Sequence, residues 1–341
     1  MRVALLNPVF WPEVRRGSER FARELADGLR ARGHEPRIVT SHSGLERRAV
    51  EDGVEVVRVP RPPGGGRLDR RMYEHYLTHL PFSYLELRRH GADVAHALYP
   101  TDALAAVRWG GPTVFSYMGV PHRQGLANRR LRKEIMVKAV QGADAVVALS
   151  EHAAGGFRRW LGVDPVVIAP PVDLEAFRPG PGRAATPTVL CSADRTQPRK
   201  RVELLVEAVR GMDGVRLVLD RKGPPLRESF VDLRDLDDRA ALAQANREAH
   251  VAALPSWGEA FGMVLVEAMA CGTPAVGPTE ELFDRPGVGL AFGGDDPAEL
   301  AAALERAMAE ADPAACRARA GDFSAERCAQ AYERLYDQAR R

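Results

Sequence analysis

The chain has 341 residues, more than one ordinary core needs, so two domains are expected. Its 45% hydrophobic and 28% charged content is that of a soluble globular protein and excludes a disordered or fibrous chain. A net charge of +2, with no basic stripe interleaved with aromatic residues, argues against nucleic acid as a partner.

The charge is unevenly placed. Residues 1–170 carry 26 Lys and Arg against 18 Asp and Glu, a balance of +8, and residues 171–341 carry 22 against 28, a balance of −6. The two halves therefore have different partners in prospect, and the basic first half is the one expected to make any weak peripheral contact with an anionic membrane surface. No apolar run approaches the roughly 18 residues of a membrane span, and the opening MRVALLNPVF reaches Asn7-Pro8 too soon for a signal peptide, so it reads as a first strand. Cys191, Cys271, Cys316 and Cys328 form no CxxC pair and lie far from histidine clusters, which argues for a reducing cytoplasm and against structural zinc.

In chain order, strand Arg2 to Pro8 feeds the loop FWPEVRRG and a helix with Phe21, Leu25 and Leu29 at helical spacing, Ser18 as N-cap and Gly33 as stop. Alternation continues through strands 37–40 and 54–59, a helix from Met72 to Arg89, strand 92–98, a helix from Thr101, strand 112–118, a helix from Leu126, strand 143–150 and strand 165–173. Strands alternating with helices imply a parallel sheet covered on both faces, with ligands at the carboxyl ends of its strands, where the Gly17 loop sits. Gly17 has no GxGxxG around it, so the dinucleotide fingerprint is absent. FRPGPGRAATPT is the linker candidate, and the domains read as 1–173, a linker 174–187, 188–322, and a last amphipathic helix over 323–341. The second alternation runs through strand 188–194, a helix from Lys200, strand 215–220, a strand near Phe230, a helix from Arg239 to Arg247, strand 250–254, a central helix, strand 289–292 and a helix from Pro297 to Ala311.

Residues 254–276, LPSWGEAFGMVLVEAMACGTPAV, hold two carboxylates, Glu259 and Glu267, around an apolar helix that starts near Gly262 and stops at Gly272. The first NH groups of such a helix lack internal partners, which makes the backbone of Ala260, Phe261, Gly262 and Met263 an anion seat. At about 1.5 Å per residue the two carboxylates lie roughly 12 Å apart, near the span from sugar to ribose in a nucleotide-diphosphate sugar. In RTQPRKR, Pro198 suits a helix start and places Arg199, Lys200 and Arg201 in the first turn, where cations oppose the dipole unless an anion is near. Arg195 and Lys200 facing a diphosphate would remove that penalty. Asp235 and Asp237 spell a DxD, read here as helix-capping carboxylates rather than a metal site. Arg129, Arg130, Arg132, Lys133 and Lys138 cluster on one helix, read as a solvated face, with anionic lipid or an acidic acceptor as the competing use.

GEAFGMVLVEAMACGTPAV resembles the EX7E signature of the family 4 retaining glycosyltransferases, and the Arg195 to Lys200 spacing, the NPVFWPE and GSER opening, LPS and the PPVD segment are similar to the same family. The resemblance implies a GT-B fold: α/β, with two doubly wound Rossmann-like domains facing a central cleft, the donor mainly on the second, and the last helix, from about Ser324, packed back on the first. It implies that Arg195 and Lys200 bind the diphosphate, Glu267 the ribose, and Glu259 with the backbone from Ala260 to Val264 the sugar and phosphates. Gly17 matches the second glycine of the family loop, with Arg16 in place of the first. Met118 replaces a family histidine, and His122, four residues on, is the candidate to reach the same space. DRKGPP replaces the usual glycine pair after the strand near Leu219.

The expected function is therefore metal-independent, retaining, hexosyltransferase-like transfer from a nucleotide-diphosphate sugar, used as co-substrate with no further cofactor, to a small-molecule, glycan or lipid-linked hydroxyl acceptor in the cytoplasm or at the inner membrane face. A nucleotide-sugar-binding protein without turnover and a GT-B-like sugar-nucleotide epimerase are the alternatives. Release of nucleoside diphosphate with acceptor separates the first from the second, and an altered sugar nucleotide without acceptor marks the third.

Overall fold

Short runs of buried Val, Ile, Leu and Ala separated by helices build two sheets in this computed structural model, which describes residues 1–14, 17–64, 73–127 and 129–341, with only the backbone of Tyr73. The chain divides into two units, Met1–Pro171 with Ala325–Arg341, and Val172–Ser324.

In unit 1 the order is β1 (Arg2–Leu6), α1 (Gly17–Ala31), β2 (Glu35–His42), β3 (Arg47–Glu51), β4 (Val54–Pro60), a 3-10 segment (Tyr73–His79), α2 (Leu80–His90), β5 (Val94–Ala97), α3 (Pro100–Trp109), β6 (Thr113–Ser116), α4 (Arg123–Ala127), α5 (Arg130–Gly142), β7 (Ala145–Ala148), α6 (Glu151–Leu161) and β8 (Val166–Val167). The strands lie in the order β3-β4-β2-β1-β5-β6-β7-β8. All pairs are parallel except β3 on β4. Central strands such as β5, β6 and β7 read as near-continuous runs because helices cover both faces, and their side chains are buried throughout or nearly so.

Unit 2 continues with β9 (Thr188–Cys191), a 3-10 turn (Pro198–Lys200), α7 (Val202–Arg210), β10 (Arg216–Asp220), β11 (Val231–Arg234), α8 (Arg239–Glu248), β12 (Val251–Ala253), α9 (Met263–Ala270), β13 (Ala275–Gly277), β14 (Gly289–Ala291), α10 (Pro297–Ala309) and α11 (Pro313–Gly321). Its sheet is wholly parallel, in the order β11-β10-β9-β12-β13-β14. The order reverses between β9 and β12, so the loops leaving those two strands part there.

The last helix, α12 (Ala325–Ala339), belongs to unit 1 and lies against α1. A Cβ on Gly28 would stand 2.9 Å from the Ala325 carbonyl oxygen, so glycine permits the close approach of the two helices. Cys328, Tyr332 and Tyr336 form the buried stripe that their spacing predicts. The two tyrosine hydroxyls are satisfied inside the core: His96 Nδ1 pairs with the Tyr336 hydroxyl at 2.8 Å, His96 Nε2 with Ser116 Oγ at 2.7 Å, and Ser116 Oγ with the Tyr332 hydroxyl at 2.9 Å. Burial pushes the His96 ring down to about 3, so it is a neutral polar link.

Several expected elements differ. β3 is absent from the sequence reading because RRAVE is a half-exposed edge strand with no continuous apolar run. Met72 lies outside the described residues, and the segment expected as one helix to Arg89 is a 3-10 turn followed by α2. The helix from Leu126 is two, α4 and α5, with Asn128 outside the described residues. Strand 165–173 shrinks to Val166–Val167, and Val172 instead forms a bridge with Ser324 inside unit 2. Ser18 lies within α1 rather than before it, and its hydroxyl donates to Glu19 at 2.9 Å.

Candidate functional site

Open parallel sheets hold ligands beyond the carboxyl ends of their strands where the order reverses, which in unit 2 is between β9 and β12. The β9 exit does not run straight into a helix. Arg201 adopts the left-handed conformation with φ 53°, and this kink separates the turn Pro198–Lys200 from α7. The expected first turn holding all three cations is therefore not formed. Lys200 and Arg201 point to different partners instead.

Lys200 Nζ donates to Glu259 Oε2 at 2.6 Å, and both side chains are mostly shielded, at 13% and 15% exposure. Arg199 approaches the same carboxylate at 3.8 Å. The Trp257 amide donates to the Arg199 carbonyl at 2.8 Å, which ties the β12 exit loop to the 198–200 turn. Arg201 turns to Asp295 Oδ1 at 2.8 Å and to the Gly294 carbonyl, with its guanidinium 4.9 Å from the ring centre of the exposed Trp257.

α9 opens four residues after Glu259. Gly262 precedes it with φ 91° and, as a glycine, makes no side-chain cap to its first turn. Ala260 and Phe261 are buried on the way in, Met263 and Val264 are its first residues, and Glu267 is its fifth and is buried. Glu267 therefore sits just over one turn into the helix. The β9 and β12 exits thus pair a cation with a carboxylate four residues before the positive end of a helix, a chemistry suited to a polyol phosphate.

Arg195, expected with Lys200 at the diphosphate, is held by backbone carbonyls in this structure. Its Nε donates to the Asp220 carbonyl at 2.9 Å and its two Nη groups to the Pro224 and Arg221 carbonyls at 3.0 and 3.3 Å. Burial pushes the Cys191 thiol at the end of β9 up to about 11, against the opposing pull of Lys200 and Arg195. Asp235 and Asp237 do not cap α8. Asp238 does, accepting from the Ala241 amide at 2.9 Å, while Asp235 pairs with Arg221 at 2.6 Å and Asp237 with Lys222. Among the described residues no group of three or more His, Cys, Asp or Glu side chains is arranged to hold a metal ion.

In unit 1, Gly17 is the first residue of α1, and Arg16 lies outside the described residues. Met118 follows β6 in irregular backbone. His122 is exposed, and its Nδ1 accepts from the Gly125 amide at 3.0 Å, a capping contact on α4 that accounts for its place in the loop. The basic helix face also needs correction. Arg132 is buried and pairs with the buried Glu74 at 3.1 Å, so α5 does not present all its cations to solvent. The sequence reading missed Asp220, whose Oδ1 accepts from the Lys222 amide at 2.7 Å and whose Oδ2 accepts from the Leu236 amide at 3.3 Å. Its signal was an acidic residue at a strand end followed by a glycine-containing turn.

The family model Glycosyltransferase Family 4 matches residues 15–176, and the model Glycosyl transferases group 1 matches residues 186–310. A D-inositol 3-phosphate glycosyltransferase of Kineococcus radiotolerans is 31% identical over 81% of this chain and 77% of its own length. One from Geodermatophilus obscurus is 34% identical over 59% of this chain, which spans 54% of that relative. Among solved structures, the sucrose-phosphate synthase of Thermosynechococcus elongatus superimposes with a TM-score of 0.83 at 22% identity, over 99% of this chain and 98% of the other. Anabaena Alr3699/HepE in complex with UDP-glucose gives 0.74 at 17% identity over 99% of each chain. With these two likenesses fixing the GT-B fold, and with the matched models and the Kineococcus relative covering most of the sequence, the chain belongs to family 4 of the glycosyltransferases.

Proposed function

We propose that this protein transfers a sugar from a nucleotide-diphosphate sugar to a hydroxyl acceptor with retention of anomeric configuration and without a metal ion. The observation that carries the reading is the shielded Lys200–Glu259 pair at 2.6 Å, with Glu259 four residues before the N-terminus of α9. As the bond to the sugar breaks, negative charge grows on the diphosphate. Lys200 and the first amides of α9 are assigned to meet it, and prepositioned donors of this kind supply roughly 3–4 kcal/mol each in comparable sites. Glu259 holds Lys200 in place and has lone pairs to spare for sugar hydroxyls, and Glu267 is assigned to the ribose. In this scheme the acceptor hydroxyl attacks from the face that the diphosphate leaves, and a diphosphate oxygen takes its proton. The cations of the protein do the work that a divalent ion would otherwise do.

The sequence relatives carry the name D-inositol 3-phosphate glycosyltransferase, so inositol 3-phosphate is the first acceptor to try. Four free cysteines, all buried, suit a reducing compartment such as the cytoplasm, where nucleotide sugars are used. The test is to incubate the protein with a set of nucleotide-diphosphate sugars and inositol 3-phosphate, to follow nucleoside diphosphate release, and to read the product's anomeric configuration by NMR. Release that depends on acceptor, gives a retained product and persists in excess chelator supports the proposal. Inversion, or a rate abolished by chelator and restored by magnesium, overturns the corresponding part of it.

A further inference from the structure

β3 (Arg47–Glu51) is the outermost strand of the unit 1 sheet, and the hairpin that joins it to β4 fixes which of its backbone groups face out. Asp52 and Gly53, with φ 48° and 81°, make a two-residue turn between Glu51 and Val54, and the residues flanking such a turn exchange both backbone hydrogen bonds. Glu51, Ala49 and Arg47 therefore bond to Val54, Val56 and Arg58, while the N–H and C=O groups of Arg48 and Val50 point away from β4. Among the described residues no backbone group bonds to those four. The side chains on this edge are also incomplete. Val50 is 74% exposed, and Arg47 stands directly across from Arg58, which is itself committed to Glu51 at 3.0 Å. Arg47 has no carboxylate within ion-pair distance among the described residues.

The sequence RRAVE is complementary to itself. When two such strands run antiparallel about a two-fold axis at Ala49, Arg48 of each lies opposite Val50 of the other, and their four outward-facing N–H and C=O groups per strand pair across the axis. The stem of each Arg48 then covers the partner's Val50. At both ends Arg47 lies opposite the partner's Glu51, in the type of pair where side chains approach most closely. Glu51 keeps Arg58 and has lone pairs left for a second guanidinium. Other registers lose this match. A shift toward the start of the strand sets Arg48 against Arg48, and a shift the other way runs the pairing into the Asp52–Gly53 turn. Glu46 and Asp52, just outside the strand, already have Arg48 and Arg23 as partners.

We propose that β3 is a self-complementary edge through which two copies of this chain associate, so that their unit 1 sheets run on as one. Charged side chains on an edge strand discourage pairing with strands in general, and the register centred on Ala49 is the one that satisfies them. The interface is isologous and closed, so it stops at two copies. A five-residue ladder is smaller than a permanent dimer needs, so the association is weak and depends on concentration.

Sedimentation equilibrium on the full chain over a wide range of concentration tests this, with circular dichroism melts to show that each variant is folded. Wild type should form dimers that dissociate on dilution. Val50→Pro removes an outward N–H and no bond to β4, so it should abolish the dimer while the melt stays close to that of wild type. Arg47→Glu should weaken the dimer by about tenfold, because two like-charge pairs replace two opposite-charge pairs. Glu51→Arg should do the same alone, and an equimolar mixture of Arg47→Glu with Glu51→Arg should associate like wild type, since each offers the charge the other lacks. A wild type that stays monomeric overturns the proposal. So does a dimer that Val50→Pro and Arg47→Glu leave intact, because the association then runs through another face, and so does a mixture of the two folded charge variants that stays monomeric. If Glu51→Arg does not fold, Val50→Pro and Arg47→Glu decide the matter without it.

Discussion

Lys200 and Glu259 are 2.6 Å apart and both mostly shielded, so removing Lys200 leaves Glu259 only the 3.8 Å approach of Arg199. On the proposed reading Lys200→Ala should lower turnover by about tenfold or more, because it would delete a cation facing a charge that grows in the transition state. On the proposed reading it also leaves a diphosphate facing the Glu259 carboxylate, with only Arg199 near it at 3.8 Å. The double variant Lys200→Ala/Glu259→Gln should therefore bind nucleoside diphosphate more tightly than Lys200→Ala alone, a coupling that calorimetry on the four proteins of the cycle measures directly. Equal affinity in the single and double variants would show that the pair does not face the phosphates. The cysteines give a second prediction at this scale. Burial raises Cys191 and Cys271 to about 11 and Cys316 to about 12, and it raises Cys328 as well. At pH 8 a thiol of pKa 11 is ionised to on the order of one part in a thousand, so native protein should resist iodoacetamide until denaturant is added. Labelling of even one cysteine per chain within minutes under native conditions would contradict the packing around it.

Elements that bury a continuous run were legible from the sequence, since β5, β6, β7 and β9 announce themselves as short apolar stretches between helices. So were α9 and the carboxylates around it, because Gly262 and Gly272 punctuate an otherwise unbroken helical run. What was not legible depends on partners distant in sequence. Arg132 reads as one more surface cation until Glu74, 58 residues earlier, meets it in the core. Arg195 reads as a free diphosphate ligand because the carbonyls that hold it come from the next strand's exit. Arg201 takes a backbone conformation that glycine or asparagine usually signals, held here by Asp295 and the Gly294 carbonyl. One glycine shows how tightly such an element is specified. Gly289 opens β14 with φ 128°, and a Cβ there would lie 1.8 Å from the Ala275 carbonyl oxygen on β13. Gly289→Ala should thus push β14 off the sheet and cost about 2–4 kcal/mol in denaturant unfolding, with strain and lost pairing both contributing. A cost below about 0.5 kcal/mol, the range of neutral surface changes, would mean that the edge strand adjusts freely.

Both ends of the chain belong to unit 1, so its stability depends on the last helix finding its seat after the whole of unit 2 has been made. α12 reaches the sheet through His96, Ser116, Tyr332 and Tyr336, and Phe21 of α1 packs edge-on against Tyr332 with ring centres 5.9 Å apart. Burial holds His96 near 3 against 6.5 for an exposed ring, and it raises both tyrosines well above 10, so none of the three is charged near neutral pH. Between pH 6.5 and 3 the unfolded chain takes up a proton at His96 that the folded protein refuses, so this site makes stability fall as pH drops. The slope approaches about 1.4 kcal/mol per pH unit, which amounts to roughly 2 kcal/mol lost by pH 5. Other groups can be separated from it. The Arg32 hydrogen bond holds Glu333 of α12 below its usual 4.5, so its contribution is lost only at pH values under that figure. Partial burial also lowers His250, which gives unit 2 a dependence of the same sign that a change at position 96 leaves alone. His96→Gln keeps a polar side chain without a titrating proton. Thermal melts followed by hydrogen exchange in α12 should show wild type losing stability between pH 7 and pH 5 more steeply than His96→Gln, with α12 amides the first in unit 1 to lose protection. Parallel pH curves for the two proteins would mean that His96 is charged in the fold, and that the neutral buried link between α12 and the sheet is wrongly drawn.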